Sequence, residues 1–236
     1  MFDFLERCVP ILGEEALEKL AASRVALLGL GGVGGAAAEA LCRSGVGNFL
    51  LIDNDEVSRS NCNRQLIATA LNVGQPKVEA ARERLLSINP RCNIETAQRF
   101  YLPEDSDFLY EWQPHCVLDA IDTVTAKLHL AEECQHRGIP LLSSMGTGNR
   151  TDPSKLCLGD ISETAGTGCP FTRIMRRELK KRGVTSLTVV FSTQPAVKSV
   201  CVAAENGRHS PASTAFVPPA AGFLLAYGVV KRILDL

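Results

Sequence analysis

The sequence predicts an α/β protein, a mainly parallel sheet flanked by helices with a smaller antiparallel extension in the C-terminal part. Two observations carry this. Buried-strand runs such as Val25-Ala-Leu-Leu and Leu50-Leu-Ile alternate with helix-like segments as far as residue 144. That alternation implies parallel strands joined by right-handed crossovers. The first strand also runs straight into Gly29-Leu-Gly-Gly-Val-Gly34, a Gly-x-Gly-x-x-Gly turn opening an alanine-rich helix. In that context the turn marks a Rossmann-like sheet with an anion facing the helix N-terminus.

Each element follows in order. Residues 14–22 read as a short amphipathic helix and 24–30 as the first strand. Alanines in 33–43 permit close packing of that helix on the sheet. Strand 48–52 ends in a carboxylate, and after the 53–74 loop Pro76 opens a helix to 86, proline being suited to a first helical turn. Lys77 takes its second position. Residues 92–97 and 115–120 read as further buried strands, 125–137 as a helix stopped by Gly138, and 139–144 as another strand.

Beyond Met145 the pattern changes. Residues 146–153 are turn-rich, and 156–161 and 187–192 read as antiparallel strands around a small-residue loop at 162–170, expected to be mobile. The helix after Pro170 carries Phe171, Met175 and Leu179 as a stripe at i, i+4 and i+8. The apolar run 215–230 contains Pro218 and Pro219 and falls short of the roughly 20 apolar residues of a membrane span. It is expected to be a buried helix beginning near Pro219. The chain 1–236 thus reads as one unit, with a nucleotide-binding part over 1–145 and a substrate-side elaboration over 146–236.

A formal net charge of −1 across 236 residues gives no global field for nucleic acid, so any RNA contact must come from a local patch. The nine cysteines include no Cys-x-x-Cys pair, which argues against a structural zinc site. Their odd number and the lack of a recognisable leader favour reduced thiols and a cytoplasmic setting.

Gly29, Gly31, Gly32 and Gly34 allow the tight turn and a close backbone approach to phosphate. Asp53 ends the second strand, where a carboxylate bonds ribose hydroxyls; a local cap is its bland alternative, and Asp55 suits either role. Asn61, Asn63, Arg64 and Gln65 cluster polar groups on a loop over the same sheet edge. Lys77 opposes the positive end of its helix dipole, a cost that a nearby anion would offset. The plainer reading makes it a solvated charge. Asp119 and Asp122 end the fourth strand; Asp122 is the better candidate for Mg²⁺ beside a triphosphate, Asp119 a partner for backbone amides, and Thr123 a helix cap.

Taken in this order and spacing, the glycine turn, Asp53, Asn61-Cys-Asn-Arg-Gln65, Lys77 and Asp119-Ala-Ile-Asp-Thr123 resemble the ubiquitin-activating-enzyme-like superfamily, which activates carboxylates by adenylation. The resemblance covers essentially the whole chain. Asn72-Val-Gly-Gln-Pro-Lys77, the 143–153 segment and the 169–183 segment are most similar to the branch that dehydrates threonylcarbamoyladenosine in tRNA. It implies an ATP- and Mg²⁺-dependent ligase-class enzyme acting as a homodimer. Asp53 would bind ribose, Asn61, Arg64 and Lys77 the phosphates, and Asp122 the Mg²⁺. Arg7 matches an arginine that family dimers insert into the partner's site, although Pro10 departs from the usual pattern there.

The alternative within the superfamily is adenylation of the C-terminal glycine of a ubiquitin-like sulfur-carrier partner. Such relatives commonly carry two Cys-x-x-Cys zinc pairs, which are absent here. Cys169 reads as an ordinary loop thiol, with sulfur or acyl acceptance the lesser alternative. Between 171 and 182, six basic residues stand against the single Glu178, an RNA-contact patch or merely a solvated face.

Overall fold

In the computed structural model, which describes residues 3–197, 202–203 and 209–236, seven strands form one sheet. Two short helices, α1 (Val9–Leu12) and α2 (Glu14–Ala22), lead into β1 (Arg24–Leu28), α3 (Gly32–Arg43) and β2 (Asn48–Ile52). The chain continues through α4 (Lys77–Ile88), β3 (Asn93–Ala97), α5 (Asp107–Glu111), β4 (Cys116–Asp119), α6 (Val124–Arg137) and β5 (Leu141–Ser144). β6 (Leu156–Asp160), α7 (Pro170–Lys181), β7 (Thr188–Ser192), the two-residue strands β8 (Val202–Ala203) and β9 (His209–Ser210), and α8 (Val217–Leu234) follow.

The strand order is β3-β2-β1-β4-β5-β7-β6. From β1 the chain winds outward to β3, then returns to β4 on β1's other side. This reversal opens a crevice at the carboxyl ends of β1 and β4, where ligands bind in open α/β sheets. All neighbours are parallel except β6 and β7. Within this sheet only β6 runs antiparallel, because β7 pairs in parallel with β5 and continues the main sheet; a separate short antiparallel pair joins Val202–Ala203 to His209–Ser210.

Alternation along β1 builds a core on both faces. Val25 and Leu27 join α2, α3 and α8 on one face, while Ala26 and Leu28 meet Leu109, Trp112 and Leu130 on the other. A third cluster holds Met175 and Leu179 of α7 against Leu128 of α6 and Phe191 of β7, as the helical stripe requires. α8 is apolar and long enough to cross a membrane, yet half of it is buried inside the protein. Gly222 lies so close to α3 that a Cβ there would stand 2.2 Å from the Val33 carbonyl oxygen.

Several boundaries differ from the sequence expectation. β1 stops at Leu28 because Gly29 turns away with φ +86°. Lys77 is the first residue of α4, not the second, since Pro76 sits at the cap. β3 is no buried strand: it closes the sheet edge with Asn93 and Glu95 exposed. α8 starts at Val217, ahead of Pro219. Residues Ile161–Thr164 form a 3₁₀ turn, capped by the Asp160 carboxylate accepting from the Ser162 amide at 2.8 Å. Cys201 lies outside the described residues, and the other eight cysteines are free thiols.

The junction from β1 into α3 tolerates no side chain at Gly34, where a Cβ would stand 1.7 Å from the Gly29 carbonyl oxygen. Gly34→Ala is expected to destabilise the fold by about 1–3 kcal/mol or more through overpacking, read as a lower urea midpoint. An unchanged midpoint would contradict this account of the turn.

Candidate nucleotide-binding and catalytic site

A cavity of about 380 Å³ opens at the carboxyl ends of β1, β2 and β4. Gly29, Gly31 and Gly32 form its floor, and Asp53, Asp55, Asn61, Arg64, Gln65, Lys77 and Asp122 all reach its wall. A Cβ on Gly31 would meet nothing nearer than the Gln65 amide nitrogen at 3.9 Å, so the backbone there faces open space. Gly34 sits behind this floor.

Asp53 is 9% exposed and does two things. Its Oδ2 accepts from the Leu30 amide at 2.6 Å and its Oδ1 from the Asp55 amide at 2.8 Å, tying the glycine turn to the end of β2. Both oxygens keep a lone pair for a ligand hydroxyl. The cap reading and the ribose reading are thus compatible.

Asn61 is largely committed to its loop, its Oδ1 accepting from the Ser58 amide at 3.0 Å to close a 3₁₀ turn. Arg64 Nη1 donates to the Ser60 carbonyl and to Asn63 Oδ1, both at 2.8 Å, which fixes the guanidinium at the cavity wall. Burial lowers its pKa, but an arginine keeps its charge. Gln65 is buried, its carbonyl oxygen without a hydrogen-bond partner among the described residues and its amide nitrogen nearest Gly31.

Lys77 Nζ lies 2.7 Å from Asp55 Oδ2, with the lysine nearly buried and the carboxylate 57% exposed. Asp55 therefore supplies the counter-anion that the α4 N-terminus demands. Because that carboxylate is free to swing into solvent, a phosphate can take its place.

The two carboxylates after β4 have opposite fates. Asp119 is wholly buried: its Oδ2 accepts from Lys127 Nζ at 2.8 Å and from Ser143 Oγ at 2.6 Å, and its Oδ1 from the Ile121 amide at 3.2 Å. Lys127, equally buried, also donates to Ser143 Oγ and to the Ser144 carbonyl, so all three ammonium protons are used. Burial pushes its pKa down and the Asp119 charge opposes that. Asp122 remains exposed on the cavity wall. Thr123 occupies the cap position of α6 without a side-chain cap bond.

Lys127, buried behind the cavity, escaped the sequence reading, as did four residues that line it, Asn54, Arg99, Phe100 and Tyr101. The loop after β3 carries the last three, and a strand parallel to β2 must deliver its C-terminal loop to the same edge. The Tyr101 hydroxyl is held 2.9 Å from His129 Nδ1 and 3.1 Å from the Tyr110 hydroxyl.

Arg7 is not brought to this cavity. It is exposed near the N-terminus, two residues from Leu5, which packs on Gly45 at the opposite end of the sheet. Cys169 caps α7. Burial pushes its thiol up, but hydrogen bonds from the Thr172 amide and from Arg150 outweigh that and leave it below the ordinary value.

The cavity suits a polyphosphate, with the glycine turn in front, Arg64 and Lys77 beside it, and the exposed Asp122 carboxylate on its wall. Among the described residues no three His, Cys, Asp or Glu side chains are placed to hold a metal ion. Mg²⁺ commonly needs only one or two carboxylates when phosphates complete its shell, which Asp122 can satisfy.

Comparison with known proteins extends this. The ThiF family model matches residues 5–235. The chain is 42% identical over 234 residues, 94% of its length and 91% of the relative's, to a tRNA threonylcarbamoyladenosine dehydratase of Bacillus subtilis. It is 35% identical over 195 residues, 79% of this chain and 72% of the other, to the Escherichia coli protein of that name. The crystal structure of the E. coli dehydratase TcdA in complex with ATP superposes with a TM-score of 0.86 at 31% identity, covering 96% of this chain and 92% of that one.

Lys127→Met strands the Asp119 charge in the core and is expected to cost about 3–5 kcal/mol in urea unfolding. Pairing it with Asp119→Asn should recover most of that loss. A single variant as stable as the parent would show that the pair does not hold the ends of β4 and β5 together.

Proposed function

The chain belongs to the ThiF family, and on that premise we propose that it is an ATP- and Mg²⁺-dependent dehydratase of threonylcarbamoyladenosine in tRNA. The convergence of Arg64, Lys77 and Asp122 on one glycine-floored cavity carries this reading. The similarity to dehydratases over nearly the full chain supports the choice of substrate.

Asp53 receives the ribose hydroxyls through its remaining lone pairs. The triphosphate lies along the amides of Gly31 and Gly32 at the N-terminus of α3, where the helix dipole favours it. Arg64 presents a planar fork to phosphate oxygens, and Lys77 exchanges Asp55 for a phosphate. Asn61 and Gln65 complete the polar wall. Asp122 would hold Mg²⁺, which when bound would supply charge neutralisation to the phosphates.

The threonyl carboxylate attacks the α-phosphorus, forming a carboxyl–phosphate bond as the bond to pyrophosphate breaks. The carbamoyl N–H nitrogen then attacks the activated carbonyl, AMP leaves carrying the former carboxylate oxygen, and the nitrogen's proton passes to solvent. The modified nucleoside has lost one water and closed to a hydantoin. Positioning and charge stabilisation suffice for both steps, so no protein nucleophile is required and Cys169 stays outside the chemistry.

In this reading the 1–145 part binds the nucleotide and the 146–236 part receives the acyl substrate within one adenylating unit. We place the enzyme in the cytoplasm, consistent with its free thiols. It works as a homodimer in which Arg7, remote from its own cavity, enters the partner's site.

Incubation with ATP, Mg²⁺ and tRNA bearing uncyclised threonylcarbamoyladenosine, followed by nucleoside mass spectrometry, should show loss of one water, with AMP formed only when that tRNA is present. Asp122→Ala is expected to abolish this while leaving the fold intact, and Arg64→Ala or Lys77→Ala to slow it by roughly 10²–10³. Full ATP-dependent turnover by Asp122→Ala would sink the assignment.

The trans role has its own test. Arg7→Ala and Asp122→Ala are each expected to be inactive alone, while a mixture of the two regains up to about a quarter of parental activity through heterodimers with one intact site. No recovery in mixed, demonstrably exchanged dimers would remove Arg7 from the site.

A further inference from the structure

Away from the nucleotide cavity, α7 and the 3₁₀ turn after β6 enclose a groove of about 570 Å³. Buried Ile161, Leu179 and Val184 form its floor, and Arg173, Arg176, Arg177 and Lys180 stand along its rim. Arg173, Arg176 and Lys180 fall at i, i+3 and i+7, one face of a helix, over a length of about 10 Å.

The cations of this segment are not equivalent. Glu178 pairs with Arg177 at 2.8 Å and Lys181 at 3.1 Å, and Arg182 lies 3.2 Å from Glu132. By contrast Arg173 and Lys180 have no acidic partner among the described residues. The Arg176 guanidinium bonds the Thr164 hydroxyl, which orients it without neutralising it. The patch that looked like six charges in sequence thus resolves into three uncompensated ones, all facing the groove.

Its direction matters too. α7 hands its C-terminal end to the start of β7, so the helix runs back across the sheet and its N-terminus lies at the carboxyl edge. A strand lying along α7 therefore leads toward the edge that holds Asp122.

We infer that this groove is the docking surface for the RNA backbone of the substrate, with Arg173, Arg176 and Lys180 contacting successive phosphates. This rests on the tRNA reading above. Charge complementarity selects a polyanion, and the flanking Ser162 and Thr185 add hydroxyl donors suited to phosphate or 2′-hydroxyl oxygens.

The test is the salt dependence of tRNA binding by the full-length protein. Arg173→Gln with Lys180→Gln should lower the slope of log K against log[salt] by about 2, near one unit per lost phosphate contact. ATP binding without tRNA should stay unchanged. Lys181→Gln with Arg182→Gln removes the same charge outside the groove and should move the slope by less than about 0.5. Equal effects of the two pairs, or no effect of the first while the parent binds and cyclises tRNA, would overturn the groove and leave the dehydratase reading standing. Failure of the parent itself to bind or cyclise any tRNA would instead bring down that reading and the groove with it.

Discussion

The site depends on how closely α3 begins behind β1. The Gly34 Cα lies against the Gly29 carbonyl, a contact that no larger residue permits. This closeness turns the amides at the start of α3 toward the crevice between β1 and β4. Asp53 then locks the turn from β2 by accepting from the Leu30 amide. Three elements distant in sequence are thereby set against one ligand position, and the polar loop from Asn61 to Gln65 and the start of α4 close over it.

Around that junction the protein uses charge in two distinct ways. Lys127 and Asp119 are sealed in the core with every strong donor satisfied, and they fasten β5 to β4. Such a pair gains little net stability over an apolar substitute but is costly to break on one side. Lys77 and Asp55 make a contact of similar length with one partner half in water. Solvent access makes that pair exchangeable, which a phosphate-binding lysine needs. Geometry alone would not separate the two; burial does.

Beyond the nucleotide, the molecule offers its substrate one continuous edge. β7 extends the sheet in parallel, and only β6 reverses. The loop after β5 and the start of α7 consequently lie on the same side as the cavity. Arg150, buried and donating to the carbonyls of Gly146, Gly148 and Gln194, stiffens that loop.

Much of this was legible in the residues themselves. Periodicity and the glycine turn determined the alternating elements, and the order of Asp53, Arg64, Lys77 and Asp122 determined one shared sheet edge, because local backbone preference and burial act over short spans. Phe100 and Tyr101 reach the site only because β3 pairs beside β2. The resolution between Asp119 and Asp122 required knowing which carboxylate faced Lys127 and Ser143. The count of free cations on α7 required knowing where Glu178 and Glu132 point. Contacts of this kind join residues far apart in the chain or choose between equivalent neighbours. Their energies depend on distance and solvent exclusion, which only the tertiary structure decides.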